Sequence, residues 1–142
     1  MSGPKPTTIA EYLDTLSPSC RSHAVEIGQI VATVIPDGQP TISYAIPTMK
    51  LDGSSVVHWS GWKAHVSIHP APAGPAELLV RLSPYITGKG TVRFSLETPL
   101  PAELVRDTVA ALRSQHLQRT VDQSVAQRAD RQSKRRAEGP SK

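Results

Sequence analysis

The stretch at residues 56–69, VVHWSGWKAHVSIH, limits the folds open to this chain more than any other segment. Apolar and polar residues alternate on both sides of Gly61 and Trp62, a pattern typical of a β-hairpin with two unlike faces. A turn at residues 60–63 predicts the cross-strand pairs Trp59 with Ala64, His58 with His65 and Val57 with Val66. Alternation along each strand predicts an apolar face of Val57, Trp59, Ala64, Val66 and Ile68 and a second face of His58, His65, Ser67 and His69. The apolar face requires a core to cover it, and the histidine face stays available.

Two helices are expected ahead of this hairpin. Residues 8–11 (TIAE) form a capping box, which predicts the start of a short helix. Ser17 followed by Pro18 is an N-cap with proline at the first helical position, so a second helix begins there. This helix is expected to end at residues 36–38. Its apolar residues recur at steps of three and four, as in an amphipathic helix: Cys20, Ala24, Ile27, Val31 and Val34.

The remaining segments alternate between strand and helix signals. Residues 41–46 predict a strand with Ile42, Tyr44 and Ile46 on one face, closed or bent by Pro47. Asp52-Gly53 predicts a hairpin turn, residues 76–82 a short helix, and the glycine-containing segment 87–91 a turn into a strand at 92–96. A last helix is expected from about Ala102. This order predicts an α+β fold with an antiparallel sheet and helices packed on one face.

Length and composition limit the number of domains and the cellular compartment that we expect for this chain. A chain of 142 residues has room for one domain with a core. It contains no apolar run of the roughly 18 residues that a membrane helix needs, and its N-terminus lacks the apolar region of a secretory signal. The single cysteine, Cys20, excludes an internal disulfide and fits a reducing compartment. We therefore expect a soluble cytoplasmic protein with no membrane contact.

The basic charge is concentrated at the C-terminal end. From Arg113 onward there are eight basic and three acidic residues, whereas the rest of the chain is close to neutral. We expect a disordered N-terminus at residues 1–6, a domain at 7–117, and a basic, partly helical or disordered tail at 118–142. The favoured interpretation of the tail is solubilisation; association with nucleic acid is the alternative, since its arginines could neutralise phosphates.

Five segments form a set with a characteristic order and spacing: residues 8–13 (TIAEYL), 42–48 (ISYAIPT), 62–70 (WKAHVSIHP), 85–94 (YITGKGTVRF) and 99–101 (PLP). Together they resemble the YdhG-like domain family of unknown function, which includes a bacterial frataxin-like iron chaperone. The resemblance covers about residues 7–117. It implies an α/β sandwich similar to frataxin. For some members it also implies iron binding and delivery to iron–sulfur assembly proteins, so iron is the one cofactor it suggests.

The histidine face offers the most concrete candidate for a metal site. If His58 and His65 are directly opposed, their Cβ atoms lie roughly 4.5–5.5 Å apart, and the two imidazoles could share an ion. His69 lies four residues from His65, about 13 Å along the strand, and is expected to stay outside that site. The alternative, which we favour, is a polar face that happens to carry imidazoles.

Other residues are candidates for contacts with a ligand. Tyr44 and Pro47 could line a small pocket, and Trp62 is expected to be exposed in the turn. Lys89 and Arg93 are the expected anion contacts at the 87–91 turn, with Lys63 as a third charge. The ordinary alternative for that turn is a loop in which glycine accepts a positive φ.

No catalytic constellation is apparent from the residues. Cys20 lies on the apolar stripe of a helix, and no serine occupies a nucleophile elbow. We therefore assign no catalytic residue and expect a non-enzymatic domain that binds a small ligand, a metal ion or a protein partner on its open sheet face. The alternatives are a frataxin-like iron chaperone and a protein that associates with nucleic acid through its tail.

Overall fold

The computed structural model describes residues 6–88 and 90–138, with side chains described as far as residue 121. The helices are α1 (Ile9–Asp14), α2 (Pro18–Val34), α3 (Ala76–Leu82) and α4 (Ala102–Glu138). The strands are β1 (Gln39–Ser43), β2 (Ile46–Leu51), β3 (Ser54–Gly61), β4 (His65–His69), β5 (Ile86–Thr87) and β6 (Thr91–Ser95). The predicted α+β class is confirmed.

The strands form one antiparallel sheet of six strands in the order β1-β2-β3-β4-β6-β5. Helices α2 and α4 contact each other and lie against the centre of the sheet, and α1 covers β2. The apolar side of the central strands faces these helices, and one cluster of buried residues joins the two layers. The opposite side of the sheet carries no helix in the described part of the chain.

Local sequence signals account for the first two helices. The Thr8 hydroxyl accepts a hydrogen bond from the Glu11 backbone N–H at 3.1 Å, and the Ser17 hydroxyl accepts one from the Cys20 N–H at 3.4 Å. Each bond satisfies an N–H group that has no partner inside its helix. The predicted apolar stripe of α2 is buried from Cys20 to Val31, and Val34 is half-buried.

The β3–β4 hairpin keeps the predicted faces but not the predicted pairs. His58 lies opposite His69, Trp59 opposite Ile68 and Gly61 opposite Val66. The Trp62 backbone N–H donates to the His65 carbonyl at 2.8 Å, so the two turn residues are Lys63 and Ala64. The turn thus lies two residues later than predicted. Since two is the period of a strand, the shift changes every partner and leaves every side chain on its expected face, except that Ala64 is now in the exposed turn.

The predicted strand at residues 41–46 is in fact two strands joined by a tight turn. Tyr44 and Ala45 have φ values of 55° and 64°, the left-handed conformation that both central residues of a type I′ turn require. Tyr44 is therefore 87% exposed instead of sharing a face with Ile42, and Pro47 lies inside β2 opposite Ile42. The sequence lacks the Asn-Gly signal typical of this turn, so the prediction of one strand was wrong here.

Helix α4 passes the predicted domain boundary at residue 117 without a break and continues to Glu138. The boundary itself remains a prediction. Of the N-terminus predicted to be disordered at residues 1–6, positions 1–5 lie outside the described residues, as does Lys89. The tail predicted at 118–142 as partly helical or disordered is helical as far as Glu138, and positions 139–142 lie outside the described residues. None of the described helices is both long and apolar enough to cross a membrane.

Candidate functional site

The uncovered side of the sheet, here called the open face, carries three rows of side chains across its central strands. His58 and His69 form one row, Ser60, Ser67 and Arg93 the next, and Trp62 and His65 the third. Successive rows are two residues apart along the strands, or about 7 Å. Small hydroxyl side chains therefore lie between two rows of aromatic rings, which produces a shallow trough.

The first ring row is a stacked pair of imidazoles. The rings of His58 and His69 have centroids 5.0 Å apart and planes inclined by 21°, and the Tyr44 ring meets His58 edge-on at 6.0 Å. The Thr48 hydroxyl lies 2.7 Å from His58 Nδ1 and donates to the Ile46 carbonyl at 3.2 Å. A hydroxyl has one proton, so when that proton goes to the Ile46 carbonyl, His58 Nδ1–H is the donor to Thr48. The Nε2 atom of His58 then carries the lone pair.

The second ring row is the Trp62–His65 pair. Their ring centroids are 6.0 Å apart with planes inclined by 20°. The indole Nε1–H donates to the Ser60 hydroxyl at 3.0 Å, which holds the ring in position although Trp62 is 55% exposed. An exposed tryptophan whose polar atom is already bonded offers a fixed apolar surface for contact.

A cavity of about 340 Å³ occupies the trough between the row of serines and strands β5 and β6. Its described lining is made of rings, hydroxyl groups, one glycine and one arginine: Ser60, Trp62, His65, Ser67, His69, Thr87, Gly88, Thr91 and Arg93. The volume is at the small end of the range for ligand pockets, roughly 300–1,000 Å³. The lining therefore combines apolar ring surfaces with hydroxyl groups and a guanidinium.

The pKa values of the three histidines of the open face are all lowered. Burial lowers the pKa of His58, and the neighbouring His69 lowers it further. Burial also lowers the pKa of His69, and burial together with the Arg93 charge lowers that of His65. Near pH 7 the imidazoles therefore act as neutral donors or acceptors, and Arg93 is the permanent charge among the described residues that line the cavity.

The predicted ligand contacts are only partly brought together. Trp62 and Arg93 line the same cavity. Lys63 is exposed in the turn and lines a different cavity on the helix side, together with Tyr12 and Leu16. Pro47 is buried and adjacent to Thr48 in β2, so alternation puts it on the helix-covered face, away from Tyr44. The pocket predicted between Tyr44 and Pro47 is therefore not formed.

The predicted metal pair is separated by the observed register. His58 is opposite His69, and His65 lies four residues from His69, about 13 Å along β4. His58 and His69 are the imidazoles that the fold does bring together. Among the described residues no group of three or more His, Cys, Asp or Glu side chains could hold a metal ion. Two imidazoles alone fall short of the three or four protein ligands of a typical zinc site.

Sequence reasoning missed six of the described residues that line the cavity: Ser60, Ser67 and His69 on the central strands, and Thr87, Gly88 and Thr91 at the β5–β6 hairpin. Ser60 and Ser67 are 2% and 3% exposed although they lie on the open face, because the ring rows cover them. His69 was expected to lie outside the site and is instead the stacking partner of His58. Alternation does put Ser60, Ser67 and His69 on the histidine face; what was missing was the position of the turn, which decides their cross-strand partners.

A larger groove of about 740 Å³ runs between α3 and α4. The Arg81–Asp107 ion pair, with an N–O distance of 2.8 Å, bridges these two helices. No aromatic ring or histidine is among the described residues that line the groove. We therefore take the open-face cavity, and not this groove, as the candidate functional site.

The architecture is shared with a solved structure: the fold of the chain is similar to that of a YdhG-like domain. The crystal structure of YdhG from Bacillus subtilis, a protein of the DUF1801 family, has a TM-score of 0.59 to this chain at 16% sequence identity. The match covers 72% of this chain and 85% of that protein. No protein-family model and no curated protein sequence matches the chain. The predicted resemblance is thus confirmed as a likeness of fold, and the relation to frataxin and iron remains a prediction.

Proposed function

We propose that the chain is a non-enzymatic binding domain that takes a small ligand in the open-face cavity. The observation that carries this proposal is the trough on the open face. The buried hydroxyl groups of Ser60 and Ser67 lie at its base, and the stacked Trp62–His65 rings form one side. The Trp62 indole stays half-exposed although its Nε1–H is bonded to a buried serine instead of water. Such an arrangement is useful when a second molecule covers the ring.

The hydrogen bonds on this face support binding instead of catalysis. A serine nucleophile requires a base within hydrogen-bond reach of its hydroxyl group. Among the described residues no histidine ring bonds to a serine hydroxyl group: on the open face His58 bonds to Thr48, and His23 and His116 on the helices bond to backbone carbonyl oxygens. The Ser60 hydroxyl is used by the Trp62 indole. The cavity therefore has recognition groups without an activated nucleophile.

An NMR screen of a fragment library of mixed chemistry tests the proposal. We expect binders to shift the amide signals of Ser60, Ser67 and Trp62, and the Trp62→Ala variant to lose those shifts. Val80→Ala is the matched control, because Val80 is an exposed apolar residue on α3, 73% exposed and outside this cavity. Shifts that map instead to the groove between α3 and α4, or binding that survives in Trp62→Ala, would contradict the assignment.

The other predicted functions gain no support from a particular observation. Iron is a hard cation that prefers oxygen ligands, and no carboxylate is among the described residues that line the cavity. Delivery of iron to iron–sulfur assembly proteins therefore stays a prediction from the resemblance. Nucleic-acid association depends on basic side chains beyond residue 121, which lie outside the described side chains. It also stays a prediction.

A further inference from the structure

The open-face cavity has an unbalanced charge. Arg93 is exposed on β6, next to Ser67 on β4. The two ion pairs among the described residues, Arg81–Asp107 and Arg113–Asp37, do not include it. The described lining of the cavity contains no carboxylate. A ligand that brings a negative charge would therefore find an unpaired guanidinium with donors already in place beside it.

Hydroxyl groups surround the position where that negative charge would lie. Ser67 is the direct cross-strand neighbour of Arg93, and Thr87 and Thr91 line the same cavity from the β5–β6 hairpin. A hydroxyl group can donate a hydrogen bond to an oxyanion, and an arginine can donate two in parallel. This end of the cavity is therefore suited to the two oxygens of a planar anion.

The other end of the cavity is suited to a flat apolar group. His65 is diagonal to Arg93 across neighbouring strands, a separation of roughly 7–8 Å between their backbones. The Trp62 ring stacked on His65 is held by its bond to Ser60. A rigid ring surface at this distance from a cation fits a ligand in which one ring bears one anionic group.

We propose that the ligand is a small planar monoanion, an aromatic or heteroaromatic carboxylate. Its carboxylate pairs with Arg93 and Ser67, and its ring packs against Trp62 and His65. This inference rests on the proposed binding function and specifies its ligand class. A carboxylate fits better than a phosphate monoester, because the described lining supplies one permanent positive charge and a phosphate carries about −1.5 to −2 at pH 7.

Matched pairs of probes test the ligand class. The protein is titrated separately with benzoate and nicotinate and with their uncharged amides, benzamide and nicotinamide. Phenyl phosphate and inorganic phosphate are titrated in the same way. The readout is the indole Nε1–H signal of Trp62, which a Trp62→Phe spectrum distinguishes from that of the buried Trp59. We expect each carboxylate to bind about tenfold more tightly than its amide, the range of one charge-assisted hydrogen bond, and more tightly than either phosphate.

The Arg93→Gln variant tests the role of the guanidinium. We expect it to weaken carboxylate binding about tenfold, to the level of the amide, and to weaken amide binding much less, because an amide forms no charge pair with the guanidinium. Arg106→Gln is the control, since Arg106 is an exposed arginine on α4 and its loss changes the net charge equally. Equal binding of carboxylates and amides, preference for a phosphate, or an unaltered Arg93→Gln variant would overturn the ligand class and leave the binding function standing. If no probe of any class shifts open-face signals, both proposals fail.

Discussion

Gly61 joins the sheet to the helix layer near the β3–β4 turn. A Cβ atom at this position would lie 2.5 Å from Cys20 Sγ and 3.0 Å from a methyl carbon of Leu16. The Gly61 N–H also donates to the Tyr12 hydroxyl at 2.9 Å. Its φ is not in the left-handed region, so glycine is required here by close packing and not by backbone conformation.

We expect Gly61→Ala to lower the free energy of unfolding by about 1–3 kcal/mol, because the added methyl group overpacks a filled space. Gly28→Ala is the matched control: its Cβ would lie 3.6 Å from the Trp59 ring, an ordinary contact. Since alanine is the better helix former, that change should raise the free energy of unfolding by up to about 1 kcal/mol. Urea denaturation measures both, and equal effects of the two substitutions would contradict the packing argument.

The β1–β2 hairpin has a turn that its residues do not favour. Tyr44 and Ala45 both adopt the left-handed conformation, in which a Cβ atom comes close to the following carbonyl oxygen. The turn nevertheless brings the exposed Tyr44 ring to the edge of His58 at one end of the open face. Backbone strain at such a position is a reason to look for function there.

Ala45→Gly should raise the free energy of unfolding by up to about 1 kcal/mol, because relief of the left-handed strain outweighs the extra freedom of glycine in the unfolded chain. Ala110→Gly in α4 is the control of opposite sign, since glycine within a helix costs about 1 kcal/mol. Thermal or urea unfolding of the two variants gives the comparison. A destabilised Ala45→Gly protein would show that the turn is not strained.

The stability of the whole domain depends on pH through the histidines of the open face. The pKa values of His58, His65 and His69 are all lowered, chiefly by burial, below the value of about 6.5 that histidine has in an unfolded chain. Between the unfolded and folded pKa values the unfolded chain binds more protons than the native protein. Stability from these groups is therefore fully present above about pH 6.5 and is lost as the pH falls toward the folded pKa values.

We expect the free energy of unfolding to decrease between pH 7.5 and pH 5.5, and the decrease to be smaller in a His58→Asn/His69→Asn double variant. Urea midpoints at several pH values measure this decrease. The His23→Asn variant is the control, because His23 lies on α2 and contributes to none of the pKa shifts of the open-face histidines. An equally steep pH dependence in the double variant would contradict the assignment to these imidazoles.

Many of the helices, strands and turns could be predicted because their sequence signals are local. The caps at Thr8 and Ser17, the buried stripe of α2 and the Asp52-Gly53 turn each depend on residues that are close in sequence. The β1–β2 turn could not be predicted in the same way. Tyr44 and Ala45 have no intrinsic preference for their conformation, so it is imposed by the pairing of the two strands.

For the candidate site, strand alternation was enough to assign faces, since side chains project to opposite sides with a period of two wherever the turn lies. Trp59 therefore points to the core, and His58, His65 and His69 point away from it, as the residue pattern predicts. The cross-strand partners depended on the position of the turn, which forms at Lys63 and Ala64 in the folded domain. Alternation is the same for every position of the turn, so it could not show that His58 pairs with His69 or that the serines lie between two ring rows. The contacts of Gly61 with Tyr12 and Cys20 likewise join residues about forty to fifty positions apart, and they exist only in the tertiary structure.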